Sequence, residues 1–454
     1  MALHRLTNPA ASPPALSDRE IARSLRFNVA AGATGMIWMA AAIGFPLPLL
    51  MTAVHATGFQ LGLLSAAWQA GLFAQLPSTL VVEHLRWRKP WWAFFSTGHR
   101  LLWLVPALLP WIFPERRDFW PWAIVAALSV SSFLGQAGAG PWQSWMSDLV
   151  PPRISGRFWG IRQGIFSVMV VVGALLHGAI LDAYSDPRHG YRAFQLVFGI
   201  AGVCGVCDIL IHLGVKEPAP HPHIPGDSVL ERILTPLRNR DLRNITLAMG
   251  AWCGAQAMIG YTAGLPGYFA MGFVKESLGA TFTQASWLFV AGGIGAAVGT
   301  PLAGHWIDRY GARRVLLGIM TLGPALLFSW SLGPHVFSTA PRPGGLMSPA
   351  LLFLCALALP IGGVYASAVI CQYRLIQAHT MPAGRSVAIG VHWSIVGVLA
   401  ALGPLFSGAI KDHFAHGVAL HFAGVALNYL DILVAAQAAV AWGIALPLVR
   451  RLRF

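Results

Sequence analysis

The chain has 454 residues, of which 56% are hydrophobic and 11% charged, and its mean hydropathy is +0.61. Soluble chains carry about a quarter charged residues, so this composition excludes an ordinary soluble globular protein. The net charge of +14 is scattered through short connections between apolar runs, which argues against nucleic acid as the partner.

Residues 1–27 hold Pro9, Pro13, Pro14, Asp18 and Glu20 and read as a cytoplasmic tail. They lack the apolar core and small-residue cleavage site of a secretory signal. Twelve apolar blocks follow, at 28–54, 58–82, 91–113, 119–147, 159–182, 193–215, 244–270, 283–303, 312–333, 348–374, 386–410 and 429–449. Each has about the 20 residues that a membrane helix needs. Barrel strands would be shorter and alternating, so helices are expected. Between blocks six and seven lies the longest connection, 216–243. It opens with prolines and His221 and His223, which have no nearby carboxylate or thiol and read as polar linker. From Asp227 it has a helix start, with Glu231 in the first turn and apolar Val229, Leu230, Ile233 and Leu234, as a short interfacial helix would. Residues 450–454 form a second tail. All five cysteines (Cys204, Cys207, Cys253, Cys355 and Cys371) fall in blocks, an odd number that gives no disulfide framework. They read as small apolar residues.

With the N-terminus inside, the inner segments carry 23 Lys and Arg and the outer loops 7, with Arg100 inside the third block. That bias places both termini in the cytoplasm, with the lipid bilayer, and its anionic inner leaflet in particular, as the partner of the positive charge.

The chain also repeats itself. "GAILD" at 178–182 returns as "GAIKD" at 408–412; Gly156-Arg157 returns as Gly384-Arg385; Glu83, Arg88 and Lys89 align with Asp308, Arg313 and Arg314. The shared order and nearly shared offset indicate a duplicated six-block unit. Six is even, so both copies have one orientation, as parallel transporter repeats do. The expected fold is an all-α polytopic membrane protein with twelve transmembrane helices in two parallel six-helix repeats, 28–215 and 244–449.

The charged stretch "GHWIDRYGARR" at 304–314 carries Gly304, Asp308, Arg309, Gly311, Arg313 and Arg314 between blocks eight and nine. It resembles the signature of the major facilitator superfamily, Gly-x-x-x-Asp-Arg-x-Gly-x-Arg-Arg. The first copy is degraded: Thr79 stands for the first glycine, Glu83 for the aspartate, and Leu85-Arg86 lacks the second glycine. "DLVPPRISGRFWGIR" at 148–162 is similar to the segment between helices 4 and 5 of bacterial members. Physically, Gly311 suits a sharp turn, Gly304 would admit a neighbouring helix, and Asp308 would pair with an arginine or a helix N-terminus. The resemblance implies a gate at the cytoplasmic face, with helix 11 as the partner of Asp308.

Ionisable groups at membrane depth are functional candidates. His99 and Arg100 are the first, Arg100 meeting an anionic substrate, pairing with a residue of helix 2 or 4, or snorkelling toward the cytoplasm. The resemblance implies a central cavity lined by the first, second, fourth and fifth helices of each half. Its polar and aromatic candidates are Trp68, Gln69, Gln136, Trp142, Gln143, Gln256, Tyr261, Tyr365, Gln372, His392 and Trp393. Of the titratable groups His177, Asp182, Asp208, Asp412, Asp431 and His392, the last is the candidate proton relay. Asp182 and Asp412 read as caps or surface anchors. The chain departs here from the proton-coupled members of the family it resembles: the fourth block has no arginine before Gln136, where many of those antiporters carry one, and the fifth has no proline, so the resemblance does not imply proton antiport of drugs.

No phosphate-binding loop and no convergent nucleophile or metal-ligand cluster occurs, so neither an enzyme nor a primary pump is expected, and no cofactor or metal. The expected function is a secondary active transporter of a small organic solute, with a proton or another cation as candidate coupling ion. A monomer in a bacterial inner membrane is expected. A sensor without flux and a lipid-handling protein are the alternatives.

Overall fold

The structure is a computed structural model that describes residues 16–82, 87–218, 228–261, 265–342, 345–380, 385–417, 420–422 and 424–452. The chain begins with α1 (Asp18–Ala42) and α2 (Pro46–Ala53), then α3 (Gly58–Ala70) and α4 (Gln75–Val82), then α5 (Lys89–Leu101) and α6 (Val105–Ile112). The long helices α7 (Trp120–Leu149), α8 (Pro152–Ala183) and α9 (Arg192–His212) complete the first half of the sequence. The short α10 (Val229–Arg238) leads into α11 (Arg240–Met258) and α12 (Tyr268–Glu276). Then come α13 (Phe282–Tyr310), α14 (Ala312–Val336), α15 (Pro349–His379), α16 (Arg385–Ala415), α17 (Tyr429–Val440) and α18 (Leu446–Arg450).

The molecule is an all-α polytopic membrane bundle, apart from one small antiparallel hairpin of β1 (Leu420–Phe422) and β2 (Val425–Leu427). Among the described residues, nine helical segments are long and apolar enough to cross a membrane. The other three predicted blocks, 58–82, 91–113 and 244–270, are each interrupted. Proline explains the first two. A proline clashes with the carbonyl four residues before it and offers it no N–H. Pro77 and Pro106 thus act on residues 73 and 102, which fall in the 3₁₀ stretches Gly71–Ala74 and Leu102–Leu104. Pro447 follows a π turn at Ala441–Ala445 in the same way. The break between α11 and α12 contains Gly260 at φ +79° and Pro266-Gly267.

The first helix begins at Asp18, ten residues before the expected block. A capping box explains this: Ser17 accepts from the Glu20 amide, and the Glu20 carboxylate accepts from the Ser17 amide at 3.0 Å. The linker helix α10 is capped by Ser228, and Asp227 lies outside the described residues.

In lipid, helices associate by close packing and polar contacts. The α3–α4 segment runs antiparallel to α16 along its length. A side chain at Gly62 would strike the Pro404 carbonyl, one at Gly397 the Gln69 carbonyl, and Gly390 faces Leu76 and Thr79. Gly295 and Gly299 pack as closely on Leu359 and Gly363, joining α13 to α15. Trp38, Trp103, Trp145, Trp252 and Trp330 are fully buried fillers between helices.

Candidate functional site

The first helix starts and the last one ends at the same end of the bundle. At the opposite, far end, α8 and α16 finish with the repeated Gly-Ala-Ile-x-Asp. Glycine and aspartate four residues apart share one helix face. Gly408 lies against the Gly58 carbonyl, and Asp412 then accepts from the amides of Gly58 at 2.5 Å and Phe59 at 2.7 Å. Gly178 lies against Ser286 and Phe282, and Asp182 accepts from the amides of Phe282 and Thr283, both at 2.8 Å. The receiving helices α3 and α13 each start with Thr-x-x-Gln, and Thr57 and Thr281 cap the next amide. Each half of the sequence therefore closes the helix start of the other. Nearby, Glu276 accepts from Lys411 and Thr52, each at 2.9 Å. The expected caps are present, and they cross between the halves.

At the terminal end the two copies of the charged motif also correspond. Arg88 is 3% exposed and ties α5 to Asp148 at 2.6 Å, Glu217 at 3.1 Å and Ser144 at 2.9 Å. Lys89 donates to the carbonyls of Leu213 and Val215; burial lowers its ammonium pKa, against the pull of Glu217. Arg313 donates to the carbonyls of Val449 and Arg450. In both copies the basic residue fastens the start of a third helix to the end of the last helix of its own half. Arg309 lies 5.2 Å from the Tyr310 ring, and Arg314 is exposed. Glu83 lies outside the described residues.

Two expectations for this motif need correction. Asp308 pairs at 3.3 Å with Arg374 of α15, the tenth block, and not with helix 11. Both side chains are mostly exposed, 71% and 58%. Gly304 meets nothing within 4 Å where its side chain would be, so close helix approach does not account for it. The close glycines of α13 are Gly299 and Gly295, which lie earlier in the helix. Gly311 does turn the chain at φ +84°.

The candidate cavity residues do not converge on one chamber. Arg100 pairs with Asp208 of α9 at 3.0 Å and its guanidinium lies 3.6 Å from the Trp38 ring centre. Of the readings for Arg100, the structure shows pairing, with Asp208 of α9 rather than with a residue of helix 2 or 4. His99 bonds Ser131 through its carbonyl, at 2.8 Å, and its hydroxyl, at 2.7 Å. His392, 1% exposed, has both ring nitrogens occupied: Nδ1 by Thr246 Oγ1 at 2.8 Å, Nε2 by Gln372 Nε2 at 2.7 Å. Since Thr246 donates to the Leu242 carbonyl, the chain of bonds fits neutral His392 with its proton on Nδ1. That buried, occupied ring departs from the expected relay. Tyr365 accepts from Gln437 at 3.0 Å and stacks on Trp252; Tyr261 packs edge-on to Trp330. These residues and Gln256 fill the interior of the second half. Asp431 caps α17 and holds His335 at 2.9 Å, and His177 is buried.

The remaining candidates keep some exposure. Trp68, Gln69 and Trp393 are half-buried, and Gln143 is exposed. Gln136 accepts from Gln75 at 2.7 Å, and Trp142 donates to His212 at 3.1 Å. Arg162, one of the 23 inner Lys and Arg by sequence, stands beside Trp142 and bonds Asn28. Its place ten residues into α8, amid Trp159 and Phe166, was the available signal.

A polytopic bundle whose halves exchange helix caps at one end has the build of a membrane transporter. The sequence profile of the Major Facilitator Superfamily matches residues 27–274 and 262–448, so the chain belongs to that superfamily. It is an integral membrane protein of a transporter class, which is not an enzyme class. Its fold is similar to that of the nucleoside transporter NupG, at 13% identity, TM-score 0.63, and 95% and 99% coverage of the two chains. A bacterial homologue of the iron transporter ferroportin, in an inward-facing state, gives 15% identity, TM-score 0.62 and 95% and 99% coverage. A bacterial homologue of the human lysosomal transporter Spinster gives 16%, 0.60 and 96% and 95%. No curated protein sequence matches the chain.

Proposed function

We propose that the protein is a secondary active transporter that moves a small organic solute by alternating access. In this reading the chain crosses a bacterial inner membrane twelve times, with both termini in the cytoplasm. The interrupted segments α3–α4, α5–α6 and α11–α12 supply the three spans beyond the nine continuous ones. Two six-helix halves, 28–215 and 244–449, rock about a site between them, and 216–243 links them.

The exchanged caps carry this reading. Asp182 and Asp412 latch the halves at the far end, while Asp308 and Arg374 at the terminal end are exposed to solvent. A rocking carrier fits that pattern: helix caps exchanged between the halves at the far end, and at the terminal end a solvated ion pair within the second half, with α3–α4 packed on α16 between them. The bonds are charge-assisted and worth about 1.5–3 kcal/mol each. The motif at 304–314, with Glu83, Arg88 and Lys89 as its first copy, forms the opposite gate in this reading. Trp68, Gln69, Gln136, Trp142, Gln143 and Trp393 remain the cavity candidates.

The test is flux into liposomes for a panel of solute classes, with and without a pH gradient, after a thermal-shift screen of the purified protein. Flux of one class, lost when the far-end aspartates are changed, supports the reading; no flux of any class sinks it. One feature favours the lipid-handling alternative: an apolar groove of about 440 Å³ lined by Ile294, Val298, Leu302, Trp306, Ile319 and Val364. Transfer of lipid between vesicles, without solute flux, would establish that alternative.

A further inference from the structure

Arg162 sits ten residues beyond the start of α8, which at 1.5 Å per residue places it about 15 Å into the helix. It is half-buried, and its guanidinium carbon lies 4.0 Å from the Phe166 ring centre, 5.1 Å from Trp159 and 5.2 Å from Trp142. Its Nε donates to Asn28 Oδ1 of α1 at 2.9 Å. Among the described residues no carboxylate lies within ion-pair distance of it. Asp208 exerts an electrostatic pull on it, but the hydrogen bond of Asp208 goes to Arg100. Asp208 is therefore bonded to Arg100 and acts on Arg162 only from a distance.

Packing among three rings strips part of the hydration of the cation, and cation–π contacts return only about 0.5–2 kcal/mol each. The terminal nitrogens supply a second observation. Arg88 Nη2 and Arg100 Nε are shut off from solvent, whereas no guanidinium nitrogen of Arg162 is among the enclosed, unbonded atoms. With Nε fixed by Asn28 and the plane held by three rings, Nη1 and Nη2 are a preset fork. Such a fork fits the two oxygens of a carboxylate or phosphate. The fork is held by α1, α7 and α8, with the indoles of Trp142 and Trp159 beside it.

We propose that Arg162 is the anchor for an anionic group of the transported solute, which is an organic anion with a flat apolar body. This rests on the transporter reading above. The solute supplies the missing negative charge, and the body of the molecule packs on the indoles.

The probes are benzoate and indole-3-acetate against their neutral isosteres benzamide and indole-3-acetamide, with inorganic phosphate as a bare anion. Binding is read by tryptophan fluorescence and thermal shift on full-length protein in phosphatidylcholine nanodiscs. A carboxylate probe should bind at least about tenfold more tightly than its amide. Arg162→Gln should abolish that preference, and Arg162→Lys, which keeps the charge without the fork, should weaken binding about tenfold. Wild-type helix content and a cooperative melt in both variants establish that they fold; if Arg162→Gln does not fold, Arg162→Lys alone decides. Equal binding of carboxylates and amides, no response to any anion, or unchanged binding in the variants overturns the proposal. So does a thermal response that arises only when phosphatidylglycerol replaces phosphatidylcholine, which would make Arg162 a lipid contact. Anion binding without flux leaves Arg162 as an anion anchor and removes the transporter reading, and with it the claim that the anion is carried. Flux of amides that Arg162→Gln does not change does the reverse.

Discussion

Asp412 holds the amide of Gly58 at 2.5 Å, joining residues 354 positions apart in the chain. Asp182 does the same for Phe282 from the other half, at 2.8 Å. Two helix starts, each with a Thr-x-x-Gln cap, are completed only by the opposite half. Asp182→Asn and Asp412→Asn each keep the shape and remove the charge. A loss of about 2 kcal/mol would shift an end-closed equilibrium roughly thirtyfold. Spin labels at Tyr184 and Ser277 should report a longer distance in Asp182→Asn. An unchanged distance distribution in both variants would remove the latch.

Arg88 and Arg313 occupy matching places but differ in partners. Removing Arg88 leaves Asp148 and Glu217 without their shared cation in a buried site, so Arg88→Ala should destabilise by about 3–5 kcal/mol. Arg313→Ala loses one part-buried and one solvent-exposed bond to neutral carbonyls, leaves no buried charge behind, and should cost about 1.5–3 kcal/mol in all. Chemical denaturation in detergent compares them; equal losses would contradict the different roles.

The exposed Asp308–Arg374 pair contributes about 0–1 kcal/mol to stability. Asp308→Ala should therefore leave the melting temperature nearly unchanged. If the pair gates, the transport rate falls clearly in this variant, and falls less in Glu83→Ala. Equal, negligible effects would reduce both loops to topology signals.

His392 is held neutral by Thr246 and Gln372, so it should not set the pH dependence of transport. His392→Gln should lower stability by about 1–3 kcal/mol through the unmade bonds. Its pH–rate profile should overlay that of the unaltered protein. A displaced profile would restore His392 as a relay.

Apolar block length and the inside bias of Lys and Arg made the helical membrane fold legible, because both follow from bilayer thickness and insertion. The repeat of Gly-Ala-Ile-x-Asp was visible as well. Its reciprocal use was hidden, since nothing along the chain says which helix start an aspartate will meet. The candidate site read less well for a related reason. Tyr365, Gln372 and His392 share their residue types with cavity linings, and only three-dimensional packing turns them inward within the second half. Arg162 lies three residues into the fifth block, 159–182, and so reads as a marginal charge, whereas α8 starts seven residues earlier, at Pro152. The interruptions of blocks two, three and seven trace to Pro77, Pro106 and Gly260, all visible in the sequence, but block length alone passed over them.

The exchanged caps also order the chain in time. The amides of Gly58 and Phe59 emerge from the ribosome more than 350 residues before the Asp412 that receives them. Until then the helix starting at Gly58 has only Thr57 to serve its first turn, and its other free amides need water or lipid headgroups. Nascent chains that stop short of α16 should therefore keep that helix start open to solvent exchange. Completing the eleventh block, rather than inserting the second, is the event that seals it.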